Sequence, residues 1–235
     1  MMGRYPPLKI HMMESERPLS EIVKDKNPLG KGLTMERIEN IVFFGIGAAG
    51  SNVFQHCLYA YPALNFTIVD DDKVEGRNVD PGTQPYEKSD LNRPKTQAMQ
   101  RIAMKLKNKK VVGVNQRINT VDEIRMYAPD MAHTLLIDSF DNAPSRNLFT
   151  QLPIGYNVIH VGFSGSLTGE AVWDGVFTPM NESKSDKDID VCEMAMARPF
   201  IFSLCACASL AIARFIESGE KTNLYFDSHF ILRSW

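Results

Sequence analysis

The chain has 235 residues, of which 44% are hydrophobic, and its formal net charge at pH 7 is −2. This length and apolar content suit one large α/β domain better than two. The charge gives no basic excess for nucleic acid and no block of like charges for a membrane surface. Because the sequence also starts without the apolar run of a signal peptide and its cysteines give no disulfide framework, we expect a cytoplasmic protein.

The N-terminal part of the chain differs from the rest. Residues 1–40 contain proline turns and no long periodic stretch before LTMERIEN. We therefore predict an N-terminal extension over 1–40, which partly wraps the domain or a partner copy, and a single folded domain over 41–235.

The first strand of that domain, IVFFG, runs into the glycine-rich segment GIGAAGS. Gly45 allows a tight turn, Gly47 lets the backbone approach a phosphate, and Gly50 lets the following helix pack closely on the sheet. These three glycines and Ser51 are candidate cofactor-binding residues. The next strand ends at Asp70, the position typical of a carboxylate that binds a ribose hydroxyl. This order of strand, turn, helix and acid predicts a nucleotide site.

The remaining segments alternate as an open parallel sheet requires. Apolar residues from Met99 to Leu106 have helical spacing, VVGV reads as a strand, 121–127 as a helix, and HTLLIDS as a strand that ends at Asp138. IGYNVIHVGF adds a strand and GEAVWDGVF an antiparallel one. We predict an α/β fold with a Rossmann-like, mostly parallel sheet, helices on both faces and an added antiparallel edge. The apolar stretch Pro199–Ala213 is too short to span a bilayer and predicts a buried helix.

Further motifs follow the second strand. Its end carries the pattern DxDxVxxxN, an Asn-Arg-Pro-Lys turn follows, and the segment DSFDNAPSR comes later; together they contain Asp70, Asp72, Asn78, Lys95, Asp141, Asn142 and Arg146. This set resembles the ThiF/MoeB family, the bacterial relatives of ubiquitin-activating enzymes, over about residues 41–216. The resemblance implies a ThiF-type ATP-binding adenylation domain over 41–235, which uses ATP and Mg²⁺ to adenylate the C-terminal carboxylate of a protein or peptide.

The resemblance also implies a role for each motif residue. Asp70 is expected to bind the ribose, with Asp72 in the same nucleotide-binding pattern, and Asn78 and Lys95 to contact the phosphates. Asp141 is expected to bind magnesium, while Asn142 and Arg146 shape its loop. These roles agree with the chemistry, since charge gathers on the phosphate oxygens and the site needs fixed cations more than a base. An ordinary helix cap remains the alternative for Asp141 and Asn142.

One departure from the family pattern concerns an arginine. After the asparagine these enzymes usually continue into an Arg-Gln pair whose arginine contacts the triphosphate, whereas Pro81 and Gly82 stand there in this chain. Arg77 or Arg93 are candidate replacements. Because family members are dimers whose N-terminal arms bring an arginine into the partner's site, we expect a homodimer, in which Arg37 is a further candidate. The remaining alternative is a weakened or repurposed site.

Three of the four cysteines lie in segments that predict a role or an environment for them. Cys192 follows a polar stretch where the family carries the cysteine that takes a thioester or persulfide, but it lies one residue from that position, so an incidental cysteine is the alternative. Cys205 and Cys207 fall in the apolar helix and are expected to pack in the core. Since the chain lacks two CxxC pairs, we predict no structural zinc.

The expected function is therefore ATP-dependent adenylyl transfer, and Lys95, Asp141, Asn78, Arg37 and Cys192 are the candidate catalytic residues. The expected partner is the C-terminus of a small ubiquitin-like or sulfur-carrier protein or of a peptide, with neither nucleic acid nor membrane. A nucleotide-binding module with weakened catalysis is one alternative. An NAD(P)-dependent oxidoreductase is another, but it shows no Tyr-x-x-x-Lys pair and leaves Lys95 and Asp141 unexplained.

Overall fold

The computed structural model describes residues 37–178, 194, 196–227 and 232–234. Within these ranges eight strands form one mixed sheet in the order β3-β2-β1-β4-β5-β6-β7-β8. The strands are β1 Asn40–Phe44, β2 Asn65–Val69, β3 Val112–Val114, β4 Thr134–Asp138, β5 Asn157–Phe163, β6 Thr168–Trp173, β7 Leu224–Asp227 and β8 Leu232–Ser234. The first five pair in parallel and the last three antiparallel, which confirms the predicted fold class.

Helices cover both faces of the sheet. They are α1 Ala48–Ala60, α2 Gly76–Val79, α3 Lys95–Lys107, α4 Val121–Met126, α5 Ala143–Phe149 and α6 Ala197–Ser218. Helices α1, α3 and α6 contribute to the larger core cluster, and α4 and α5 to the smaller one on the opposite face.

The central strand β1 shows why this segment reads as an unbroken apolar run. Ile41 and Phe43 lie in the larger core, and Val42 and Phe44 lie in the smaller one. A strand that is buried on both faces needs apolar residues at successive positions, because neighbouring side chains point to opposite faces. The alternation of polar and apolar residues is therefore missing where the sheet is covered on both sides.

Several boundaries differ from those expected. The first strand begins at Asn40 and the helix predicted over 121–127 ends at Met126. Strands β7 and β8 were not predicted, because short C-terminal strands carry too few residues for a clear alternation. The predicted N-terminal extension lies outside the described residues except for 37–40. Within that remainder Ile38 is buried in the larger core, and Glu39 donates its backbone N–H to the carbonyl of His133.

Helix α6 matches the predicted apolar helix but is longer, with 22 residues. By length and composition alone it is sufficient to cross a membrane. Its inner side, however, includes Phe200, Ile201 and Leu204, which pack in the larger core beneath the sheet. Cys205 is buried there as expected, whereas Cys207 is only partly buried. A core helix of this length passes the same composition test, and the packing of α6 is that of a core helix.

Candidate functional site

The candidate site lies at the carboxyl edge of the parallel strands, where the strand order changes direction around β1. Phe44, the last residue of β1, pairs with Val69 at the end of β2 and with Asp138 at the end of β4. The segments that begin at Gly45, Asp70 and Ser139 therefore leave the sheet at one level. Ligands of open α/β folds bind in the crevice outside this edge.

The three glycines of the turn after β1 have distinct environments. Gly45 has φ of 86°, and a Cβ there would lie 2.8 Å from the carbonyl oxygen of Ser139. A Cβ on Gly50 would lie 2.2 Å from the carbonyl oxygen of Gly45, so this glycine allows close packing. Nothing lies within 4 Å of a Cβ built on Gly47. The turn is thus tightly packed behind and open at Gly47, as a phosphate-binding turn requires.

Ser139 holds this turn, and the sequence patterns did not single it out. Its hydroxyl lies 3.1 Å from the carbonyl oxygen of Phe44 and 2.8 Å from that of Gly45, and its backbone N–H donates to Phe44. The carbonyl groups at the end of β1 therefore have partners from the β4 loop. A serine just beyond a strand end gives no periodic signal, so only the pairing of β1 with β4 reveals this contact.

Asp70 is buried beside the glycine turn. Its Oδ2 accepts from Ile46 N at 2.7 Å, and its Oδ1 accepts from Asp72 N at 2.8 Å. Burial raises the pKa of Asp70, while Lys95 and the two backbone N–H groups act in the opposite direction. An ionised carboxylate has about four acceptor positions, so two remain for ribose hydroxyl groups. Asp70 therefore both fixes the turn and keeps the capacity for its expected role.

Lys95 stands at the start of α3, as predicted, and its side chain reaches back to the β2 end. Its Nζ lies 2.7 Å from Asp72 Oδ2, and its backbone N–H donates to the carbonyl of Asp72. The Lys95 side chain is 9% exposed, whereas that of Asp72 is 59% exposed. The carboxylates of Asp70, Asp71 and Asp72 all lie within 4.8 Å of one another, so the lysine balances a local excess of negative charge.

Asn78 is buried but serves a local structure. Its Oδ1 accepts from the backbone N–H of Glu75 at 2.8 Å and completes a capping box around the one-turn helix α2. Arg77 pairs with Glu75 at 2.7 Å on the same turn. The side-chain oxygen of Asn78 is thus engaged within the protein, which leaves its amide N–H groups as the donors that a phosphate would accept.

Asp141 and Asn142 follow β4 and take different positions. Asn142 is the N-cap of α5, where its Oδ1 accepts from Ser145 N at 2.9 Å, so the cap interpretation holds for this residue. Asp141 is exposed, and its Oδ1 lies 3.4 Å from Asn142 Nδ2. An exposed carboxylate with one long hydrogen bond at the carboxyl edge fits a ligand for a hard cation such as magnesium.

Asp138, a second acidic residue at this edge, has its carboxylate engaged by partners within the protein. Asp138 Oδ2 lies 2.8 Å from His160 Nδ1 and accepts from Arg146 Nε at 3.2 Å, while Oδ1 accepts from Phe140 N. Because a carboxylate only accepts, the His160 ring carries a proton on Nδ1. The ring of Phe177 stacks on His160 and faces the Arg146 guanidinium. We call the following five residues the Asp138 cluster: Asp138, Phe140, Arg146, His160 and Phe177.

The Asp138 cluster agrees with the role that the resemblance implied for Arg146, since this arginine joins α5 to the sheet. The participation of His160 was not predicted. Asp138 and His160 are 22 positions apart in sequence. Their side chains meet because the two residues are register partners on β4 and β5. Burial also raises the pKa of nearby Glu170, which faces Arg146 Nη2 at 3.7 Å.

The loop that contains Pro81 and Gly82 folds back onto the glycine turn. Asn52 Nδ2 donates to the carbonyl of Thr83 at 2.7 Å, and Tyr86 Oη donates to that of Ile46 at 2.7 Å. Four buried side-chain atoms of the described residues lack a hydrogen-bond partner, and three of them lie in this loop or in α1: Ser51 Oγ, Thr83 Oγ1 and Gln84 Oε1. Buried polar atoms without partners are uncommon, so this region fits a polar ligand such as a nucleotide.

The other candidates are less informative. Arg37 is the first described residue and is exposed, as is Arg93. Cys192 lies outside the described residues. Cys57 and Cys205 are buried thiols, and burial raises the pKa of each to about 12, which makes them unreactive. The expectation of no structural zinc stays a prediction.

Comparisons with solved structures agree with the observed fold. The fold is similar to that of E. coli MccB in a structure with MccA-N7isoASN, with a TM-score of 0.64 and 15% identity, covering 84% of this chain and 64% of MccB. A structure of E. coli MccB with ATP gives 0.64 and 14%, covering 84% and 63%. The selenomethionine form of PaaA gives 0.61 and 15%, covering 84% and 63%. The chain therefore spans less than two thirds of the length of these proteins.

No curated protein sequence matches the chain. The sequence model of the ThiF family, in contrast, matches residues 30–210, which include the glycine turn, Asp70, Lys95, Asp141 and most of α6. This match and the layout of the edge residues lead to one conclusion: the chain belongs to the ThiF family.

Proposed function

We propose that the chain is a cytoplasmic, ATP-dependent adenylyltransferase that activates the C-terminal carboxylate of a peptide or of a small ubiquitin-like or sulfur-carrier protein. The observation that supports it most is the juxtaposition, at one edge, of the open turn at Gly47, the ribose-binding capacity of Asp70 and the Lys95–Asp72 pair. MccB, which has the same fold, has been determined with ATP and with MccA forms.

The reaction requires few groups of the protein. The substrate carboxylate attacks the α-phosphorus of ATP, the bond to the β-phosphate oxygen breaks, and pyrophosphate leaves with the electron pair, which gives an acyl-adenylate. Because no proton is transferred, the protein's part is to position the reactants and stabilise charge. The backbone around Gly47 binds phosphate, Asp70 orients the ribose, and Lys95 faces the developing negative charge.

Asp141 is the residue that would hold magnesium. Its exposed carboxylate and its position at the strand edge match the oxygen ligands that this ion prefers. Magnesium, when bound, neutralises negative charge on the phosphate oxygens.

Two measurements test the proposal. Calorimetric titration should show binding of ATP and no binding of NADH, which separates an adenylyltransferase from an oxidoreductase. Exchange of radioactive pyrophosphate into ATP should then depend on a peptide with a free C-terminal carboxylate. The matched control is the same peptide with a C-terminal amide, which should give no exchange. Exchange that is equal with both peptides would reject carboxylate activation.

A nucleotide-binding module is the second candidate, because Pro81 and Gly82 replace the arginine that the family uses. It predicts ATP binding without pyrophosphate exchange across a panel of carrier C-termini. The same two measurements therefore separate it from the adenylyltransferase.

We also propose a homodimer in which the N-terminal arm reaches the partner's site. A truncation must keep Ile38, which is buried in the core, so deletion of residues 1–36 is suitable. Light scattering should show a dimer for the full chain, and the truncated protein should lose exchange activity. Arg37→Ala tests the single residue in an otherwise intact arm. A monomeric full chain, or a fully active truncation, would reject the cross-dimer arrangement.

A further inference from the structure

The first observation concerns the space beside Gly82, which stands where the family has the glutamine of its Arg-Gln pair. Gly82 has φ of 65°, and a Cβ built on it would lie 3.8 Å from both Cζ and Nη1 of Arg198. Arg198 is the second residue of α6, 116 positions further along the chain. The guanidinium of Arg198 thus lies against the turn from which the family arginine would extend.

The second observation is that this turn is fixed close to the glycine-rich segment. The amide of Asn52 donates to the carbonyl oxygens of both Ala48 and Thr83, each at 2.7 Å. The residue next to Gly82 is therefore held to the first turn of α1, the helix whose amino end faces the phosphate-binding turn. Further along, Tyr86 fixes the same loop to Ile46.

The third observation points to a ligand independently. Ser51 and Thr83 are fully buried, and their hydroxyl groups have no hydrogen-bond partner among the described residues. Both belong to the elements that Asn52 joins. Buried hydroxyl groups without partners are uncommon and require an explanation, and the oxygens of a phosphate would accept from them.

The other arginines considered as replacements have different positions. Arg198, Arg77 and Arg93 are all exposed, but Arg77 pairs with Glu75 on α2, and Arg93 precedes α3. Neither is among the atoms that approach Gly82 within 4 Å, all three of which belong to Arg198. The Arg198 guanidinium also lies 5.4 Å from the ring centre of Phe202, a contact that orients it without neutralising its charge.

We propose that Arg198 supplies the cation that is missing at Pro81 and Gly82, and that it binds the β- and γ-phosphates of ATP. This inference rests on the proposed function, because it takes ATP as the ligand. A guanidinium suits the role, since its planar fork engages two phosphate oxygens at once. The cation that the Arg-Gln pair would have given thus comes from α6 of the same chain.

Nucleotide titrations with the full chain test the inference without any carrier protein. Wild type, Arg198→Ala and Arg198→Gln are titrated with ATP and with AMP in the presence of magnesium. Loss of a bidentate charged contact should weaken ATP binding by about tenfold or more. AMP binding should stay unchanged, because AMP lacks the β- and γ-phosphates. Arg214→Ala is the matched control, since Arg214 is an exposed arginine on the same helix that pairs with Glu220.

The outcomes are distinguishable. A selective loss of ATP affinity in both Arg198 variants, with Arg214→Ala like wild type, supports the inference. ATP affinity that is unchanged in the Arg198 variants, or equal losses for ATP and AMP, would overturn it and leave the proposed function intact. A wild-type protein that binds no ATP would reject the proposed function, and the inference with it.

Discussion

Two groups of charged side chains beside the central strand, the Lys95–Asp72 pair and the Asp138 cluster, have different surroundings. Asp70 follows β2, and its neighbours Asp72 and Lys95 form an ion pair with one exposed side, the Asp72 side chain being 59% exposed. Asp138 ends β4, is fully buried, and is engaged by Arg146 and His160, whose side chains are 13% and 3% exposed. One group is open to ligand, and the other is satisfied within the protein.

This difference in surroundings indicates that the Lys95–Asp72 pair belongs to the binding site and that the Asp138 cluster stabilises the structure around it. A buried charge pair contributes little net stability, but removal of one partner leaves the others uncompensated. The Asp138 cluster therefore fixes the loop that carries Asp141, whereas the Lys95–Asp72 pair keeps a cation where charge develops. Substitutions in the first should reduce stability, and substitutions in the second should reduce activity.

The largest expected effect is a loss of stability when the Asp138 cluster is changed. Asp138→Ala leaves Arg146 and His160 buried without their carboxylate and should lower the free energy of unfolding by about 3–5 kcal/mol. Urea denaturation followed by circular dichroism measures it. Asp72→Ala is the comparison and should lower stability by less than Asp138→Ala does, because the Asp72 side chain is 59% exposed and the Asp70 carboxylate stays near Lys95. Equal losses in the two variants would remove the distinction between the clusters.

Asp141→Ala should have the largest effect on activity. The side chain is exposed, so stability should not change, but pyrophosphate exchange should fall by about 10³-fold as the magnesium ligand is lost. The magnesium concentration for half-maximal exchange should rise in Asp141→Asn, which keeps one oxygen. An Asp141→Ala variant with near wild-type exchange would reject the metal assignment.

Lys95→Met keeps the buried aliphatic stem and removes only the charge. We expect kcat for exchange to fall by about 10²-fold, with a smaller change in ATP affinity, since a cation that faces developing charge acts mainly in the transition state. Stability should fall, but by less than in Asp138→Ala, because the carboxylates of Asp70 and Asp72 lose the cation that balances their charge. If ATP affinity and kcat fell by the same factor, Lys95 would be a ground-state contact instead.

The smallest effect is a change in pH dependence. The pKa of Asp70 is raised by burial, so native Asp70 binds a proton more tightly than unfolded Asp70 does. Its contribution to stability is therefore present below the ordinary Asp pKa and is lost as the pH rises through the raised pKa. Asp70→Asn should remove this contribution, which the difference between the two stability–pH curves measures. Parallel curves would show that Asp70 titrates normally.

The sequence predicted those parts of the fold that depend on local pattern. The glycine turn, Lys95 at the start of α3 and the antiparallel β6 all follow from residues close together in the chain. The Asp138 cluster and the position of Arg198 do not, because each requires knowledge of which distant residues meet. His160 reaches Asp138 only through strand register, and Arg198 reaches Gly82 only through the packing of α6.

At Asn52 the residue that best suits the helix differs from the residue that best holds the neighbouring loop. Within a helix asparagine is less favourable than alanine by up to about 0.7 kcal/mol. The same side chain bridges α1 and the loop of Gly82 through two carbonyl groups. A design procedure that rewards helix propensity alone would choose alanine at this position. The redesigned helix would gain intrinsic stability, but the loop would lose its hydrogen bond to α1. A thermostable variant of this kind is therefore expected to bind nucleotide more weakly.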